Sequence, residues 1–176
     1  MAGSFAVEDI GCLAGLEITT GTSATTYSPD ELVTREEMAA FLGRTWRALG
    51  NVCPSDPVPF VDVAGSFALA DIACIAGLEI TTGTSATTYS PDGLVTREEM
   101  AAFLGRTWRA LGNACPSVAV PFGDVAGSFA VEDIGCLAGL EITTGTSATT
   151  YSPDRGVTRE ETAAFLARLI RANTTS

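Results

Sequence analysis

The sequence predicts an all-α fold built from three helix-loop-helix repeats closed around a pseudo-threefold axis. Three observations carry this: an internal repeat in a register of 62 residues, apolar positions spaced for helices, and a helix-start motif that returns in every copy. Gly3-Ser4-Phe5-Ala6 reappears as Gly65-Ser66-Phe67-Ala68 and as Gly127-Ser128-Phe129-Ala130. The run from Gly3 to Asp30 is repeated unchanged from Gly127 to Asp154, and the middle copy differs by small exchanges such as Val7 to Leu69 and Leu13 to Ile75.

Within a copy, Ala6, Ile10, Leu13 and Leu16 fall on one face of a first helix, with Ser4 as its N-cap. The second helix opens on Thr34-Arg35-Glu36-Glu37, a T-x-x-E capping box in which Thr34 and Glu37 satisfy each other's backbone amides. The same pairs are Thr96 with Glu99 and Thr158 with Glu161. Met38, Phe41, Leu42, Trp46 and Leu49 form the buried stripe, Arg44 and Arg47 suit the negative end of the helix dipole, and Gly50 ends the helix. Phe103, Phe165 and Trp108 repeat this core. The hydroxyl-rich stretch Thr19 to Asp30 reads as a loop holding two very short strands.

A single helix pair cannot cover its own apolar face, so the copies must share a core. An open stack would leave two uncovered ends, whereas closure leaves none. The chain therefore reads as one domain over 1–176: repeat 1 at 1–50, a proline-bearing linker at 51–59, repeat 2 at 60–112, a second linker at 113–121, and repeat 3 at 122–176. The expected state is a monomer whose repeats imitate a trimer.

Of 176 residues 46% are apolar, and the net charge is -11 with every positive charge an arginine. That field repels nucleic acid and anionic lipid. Without lysine or histidine, serine- and cysteine-histidine nucleophiles, histidine-bearing zinc sites and Schiff bases are all excluded. Glu36 and Glu37 point about 100° apart on a helix, so they do not form a carboxylate pair. No enzyme activity, cofactor, metal or membrane insertion is expected.

Five cysteines lack metal-ligand spacing and read as disulfide partners. Either Cys12 pairs with Cys53 and Cys74 with Cys115, or the linker cysteines reach forward, Cys53 to Cys74 and Cys115 to Cys136. Forward pairing is favoured because it leaves only Cys12 without a partner, at a start that lacks the Phe-x-Asp-Val segment of the other copies. Such bonds imply an exported protein.

Phe60-Val61-Asp62-Val63, Gly-Ser-Phe-Ala, Glu79-Ile80-Thr81-Thr82-Gly83, Tyr89-Ser90-Pro91-Asp92 and Val95-Thr96-Arg97-Glu98-Glu99-Met100-Ala101-Ala102-Phe103-Leu104 together resemble the S-layer homology (SLH) repeat. The resemblance covers nearly the whole chain. It implies a pseudo-trimeric spindle, outside the cell, that anchors a protein noncovalently to the cell surface by binding a secondary cell-wall polysaccharide carrying ketal-linked pyruvate. The family's T-R-A-E arginine, which meets the acidic sugar, falls on Arg35, Arg97 and Arg159. Tyr27, Tyr89 and Tyr151 are secondary ligand candidates in the loops.

The chain departs from the family by placing Phe5, Phe67 and Phe129 where tryptophan is usual, and Glu17, Glu79 and Glu141 where glycine is usual. Repeat 3 has drifted at Gly156, Thr162 and Ile170, which stand for Leu32, Met38 and Trp46, so its groove is expected to be degenerate. Capping accounts for Thr34 and Glu37 but leaves Arg35 free for a carboxylate, which a first-turn guanidinium suits. Replacing Arg97 with Ala is then expected to weaken binding and leave stability nearly unchanged. The other reading, from a different class, is a protein-interaction or self-assembly module.

Overall fold

Helical periodicity decides the architecture. The computed structural model describes residues 3–175, with six helices: α1 (Val7–Gly15), α2 (Arg35–Ala48), α3 (Leu69–Gly77), α4 (Arg97–Ala110), α5 (Val131–Gly139) and α6 (Arg159–Thr175). Among the described residues there is no strand. The expected short strands of the loop are replaced by isolated bridges between repeats, Leu32 with Thr158, Thr34 with Leu94 and Thr96 with Gly156.

The short helices α1, α3 and α5 start without a side-chain cap. Ser4, expected as the N-cap of α1, sits upstream, where its Oγ accepts the Ala6 amide and shapes a turn instead. Ala6, Ile10 and Leu13 are buried as predicted, but Leu16 is 43% exposed because it lies at the C-cap, past the last helical turn. The long helices begin on the predicted capping boxes, complete at Thr34/Glu37 and Thr96/Glu99, and with both reciprocal bonds also at Thr158/Glu161.

Helix ends explain one departure from the family pattern. After α2, Gly50 takes φ +84°, its amide bonds to the Arg47 carbonyl and the Asn51 amide to the Trp46 carbonyl, the two bonds of a Schellman ending. After α1 the same two bonds form, Glu17 to Ala14 and Ile18 to Leu13, but the left-handed position is held by glutamate at φ +57°. Glu79 and Glu141 repeat this at +56° and +57°. The buried Ile18, Ile80 and Ile142 that follow hold the strained turn in place.

The repeats are bonded to one another in a cycle. Val33 donates its amide to Val157, Val157 to Val95, and Val95 to Val33, at 3.0 to 3.1 Å. Helix α2 packs on α3, α4 on α5, and α6 on α1. Each of these helix pairs carries an ion pair: Arg47 with Asp71, Arg109 with Asp133, Arg171 with Asp9. Gly43 is in the middle of α2 despite a cost of about 1 kcal/mol relative to alanine, because a Cβ there would lie 2.5 Å from Asp71 Oδ1. The shared core holds Met38, Phe41, Leu42 and their copies, together with Val33, Val95 and Val157.

Both linkers turn back on the helix that follows. The disulfides are Cys53–Cys74 and Cys115–Cys136, the forward pairing, and Cys12 is free. Beyond each linker a phenylalanine stacks on the loop tyrosine, Phe60 on Tyr89 and Phe122 on Tyr151, with centroids 5.4 and 5.3 Å apart. Two residues later the carboxylate of Asp62 accepts the amides of Tyr89 and Ser90, all at 2.8 Å, and Asp124 does the same for Tyr151 and Ser152. These bonds hold both carboxyls below the usual aspartate value.

Two tests follow from this geometry. Replacing Glu79 with glycine removes a left-handed strain of about 1 kcal/mol and is expected to raise the urea midpoint, whereas a lower midpoint would mean that the carboxylate stabilises the turn. Because the folded pKa values of Asp62 and Asp124 are depressed, their contribution is present above the unfolded value of about 4 and lost as pH falls toward the folded one. A double Asp62→Asn, Asp124→Asn variant should therefore show a flatter loss of thermal midpoint between neutral pH and acid than the parent chain does.

Candidate functional site

The first turns of α2, α4 and α6 meet the loops of neighbouring repeats, and this brings each capping-box arginine onto a foreign tyrosine. The backbone sets the register. The Arg35 amide bonds to the Gly93 carbonyl, that of Arg97 to Arg155, and that of Arg159 to Glu31. The side chain then folds inward. Arg35 Nε donates to the Tyr89 carbonyl, Arg97 Nε to Tyr151 and Arg159 Nε to Tyr27, at 2.7 to 2.9 Å. Each tyrosine hydroxyl returns a bond to the carbonyl of that same arginine.

The charge is met by the next repeat. Arg35 Nη1 pairs with Glu99 at 2.7 Å, Arg97 with Glu161 at 3.1 Å, and Arg159 with Glu37 at 2.7 Å. Each guanidinium also lies between two rings: Arg35 over Tyr89 and Phe103, Arg97 over Tyr151 and Phe165, Arg159 over Tyr27 and Phe41. The arginines are 4%, 1% and 3% exposed. Burial pushes the Tyr27 hydroxyl up to about 12 and raises those of Tyr89 and Tyr151 as well, so all three stay neutral.

The third guanidinium nitrogen separates the sites. Arg97 Nη2 donates to the Thr144 carbonyl at 2.7 Å, so its Nε, Nη1 and Nη2 all have acceptors within the protein. For Arg35 and Arg159, Nη2 has no acceptor among the described residues, and each of these side chains lines a groove. One groove, of about 370 Å³, is formed by Thr19 to Thr22, Glu37, Phe41, Arg44, Phe67 and Arg159. Its counterpart, about 70 Å³, is formed by Thr81 to Gly83, Glu99, Phe103, Arg106, Phe129 and Arg35. In each, a second arginine, Arg44 or Arg106, faces the first across one glutamate. Phe67 and Phe129 stand on the rim, 65% and 64% exposed.

A family model described as the S-layer homology domain matches residues 1–39, 59–101 and 121–163. The chain belongs to the S-layer homology family. It is also 32% identical over 158 residues to an endoglucanase of Bacillus sp. (strain KSM-635), a match that spans 88% of this chain and 16% of that protein. Membership makes this SLH chain a non-catalytic cell-surface anchoring module that acts outside the cell on cell-wall glycan. Among the described residues no helix is long and apolar enough to cross a membrane.

The candidates named from sequence are thus brought together, in a different arrangement from the one expected. The arginines are buried between rings, and the tyrosines support them from below instead of lining the grooves. Glu36 and Glu37 diverge, the first accepting the Ser66 hydroxyl and the second closing the cap and pairing with Arg159. The groove involving repeat 3 is closed by the Thr144 carbonyl, which is not among the drifted positions. Sequence reasoning missed Arg44, Arg106, Phe67 and Phe129 as groove residues. A signal existed, since Arg168 keeps the position of Arg44 and Arg106 where repeat 3 has lost its tryptophan.

The expectation that Arg97→Ala leaves stability unchanged is overturned: its removal strands Glu161 and three carbonyl contacts in a buried seam. A loss of about 3 kcal/mol or more in urea unfolding is expected.

Proposed function

We propose that the chain holds its parent polypeptide to the cell wall by binding an acidic secondary cell-wall polysaccharide, carrying ketal-linked pyruvate, in the grooves of Arg159 and Arg35. The repeats lie about a pseudo-threefold axis within a monomer, a reading supported by the cyclic bonding of Val33, Val95 and Val157. The observation that carries the ligand assignment is the unused Nη2 of Arg35 and Arg159, each in a groove with a second arginine and an exposed phenylalanine.

The roles follow from the chemistry. Glu37 and Glu99 already hold Nη1, so a sugar carboxylate takes one charge-assisted bond from Nη2 and finds its second cation in Arg44 or Arg106. Arg44 and Arg106 are held in place through the Ile18 and Ile80 carbonyls. The Thr-Thr-Gly-Thr hydroxyls face the sugar's polar edge, and Phe67 or Phe129 covers its apolar face. Two guanidinium groups against one carboxylate leave each groove locally positive on an otherwise anionic chain. Arg97 serves the fold, and Tyr27, Tyr89 and Tyr151 position the arginines.

Phe67 and Phe129 are the residues on which to test this, because they are exposed and make no structural bond. A Phe67→Ala, Phe129→Ala variant is expected to keep its thermal midpoint and to lose about tenfold or more in affinity for isolated cell-wall sacculi in a co-sedimentation titration. Sacculi stripped of pyruvate by mild acid should no longer retain the parent chain. Unchanged retention in either experiment rejects the acidic-glycan reading.

A further inference from the structure

The outer face of α1 is bare where the equivalent faces of α3 and α5 are covered. Pro54 lies over Gly77, Val120 over Gly135, and Pro116 with Val118 over Gly139, whereas nothing stands within 4 Å of a Cβ built at Gly11 or Gly15. Cys74 and Cys136 are buried and bonded to Cys53 and Cys115. The matching Cys12 carries a free thiol and is half-buried.

The covering segments have one chemistry. Each reads Cys-x6-Phe-x-Asp-Val, at residues 53–63 and 115–125. Besides the disulfide, each supplies a ring on the loop tyrosine, an amide from Val61 or Gly123 to the Thr87 or Thr149 carbonyl at 2.9 Å, and a carboxylate for two successive amides. In repeat 1 the corresponding place is a hollow of about 260 Å³, lined by Ile10, Ala14, Thr19, Gly21, Thr25 and Tyr27. Among the described residues the amides of Tyr27 and Ser28 have no acceptor and the Thr25 carbonyl no donor.

We propose that this face of repeat 1 docks an extended segment of a second polypeptide that carries the pattern Cys-x6-Phe-x-Asp-Val. The requirements lie along one line and match a peptide's spacing: a ring against Tyr27, a carboxylate two residues later for Tyr27 and Ser28, and a thiol seven residues before the ring for Cys12. Residues 53–63 and 115–125 are themselves occupied, held by their own disulfides and rings. This site lies outside the grooves and does not depend on the glycan.

The test uses the whole chain and a synthetic peptide with the sequence of residues 53–64, supplied as its mixed disulfide with glutathione. The Cys12 thiolate attacks the peptide sulfur, the Cys12–peptide S–S bond forms, and glutathione leaves as thiolate and takes up the proton lost from Cys12, with no net oxidation. Peptide mapping should place the new bond at Cys12, formed about tenfold faster than with a peptide bearing alanine for Phe60 and asparagine for Asp62. A peptide with serine for its cysteine should raise the thermal midpoint of both the parent chain and a Cys12→Ser variant. Equal rates for the two peptides, or no shift with the serine peptide, overturns the proposal. So does a dimer of the chain alone that excess peptide fails to dissociate, since a second copy would then cover the face.

Discussion

Everything in this molecule depends on neutralising a guanidinium at each junction between repeats. Burying an arginine costs several kcal/mol unless an anion and good acceptors accompany it. The anion here is the glutamate of the next capping box, and that glutamate has two duties. Its Oε2 accepts the amide of Thr34, Thr96 or Thr158 and so starts a helix, while its Oε1 receives the arginine of another repeat. Helix initiation and repeat docking are therefore one event. A repeat that docks wrongly leaves a charge buried and a helix uncapped together, which gives the near-identical copies a single way to assemble.

The same arrangement explains how copies so alike come to differ in function. Arg155 stands in repeat 3 where repeat 2 has Gly93, and it adds a second cation to Glu161. Glu161 thus carries two guanidinium groups while Arg97 turns its last nitrogen to the Thr144 carbonyl. That junction is internally complete. The other two retain a donor, because Glu99 and Glu37 each serve one cation, and the loops of Thr20 and Thr82 leave Nη2 unused.

Much of the fold was legible because it rests on local rules. The 62-residue register, the capping boxes and the buried stripe of α2 all act within one turn of helix or one repeat. The forward disulfides could be favoured by counting, which left only Cys12 over. The fate of the arginines was not legible. A first-turn arginine reads as exposed because most are, and only the distant Tyr89, Glu99 and Phe103 make it a buried residue. Leu16 misled for a related reason: helical spacing counts past the point where Glu17 turns the chain into the left-handed region. Neither Glu17 nor Glu79 announces such a turn, since glutamate seldom holds one. The Ile18 or Ile80 that follows makes it possible by burying itself on the helix just ended.

A chain of net charge -11 that binds an anionic polymer faces a long-range repulsion, and the geometry shows how that is overcome. Over distances beyond about 8–10 Å, salt at physiological strength screens the mean field, so the repulsion acts mainly on approach. Contact is governed by what lies inside that radius, and there each open groove sets two guanidinium groups against one carboxylate. A single such site, with one Nη2 bond and an aromatic lid, is a weak binder. Two on the same rigid core, facing a polymer that repeats its acidic unit, act together, because occupancy of the first raises the effective concentration at the second. Firm anchoring then comes from duplication of the site, which the tandem repeat provides, and the closed third junction adds rigidity that keeps the other two in register.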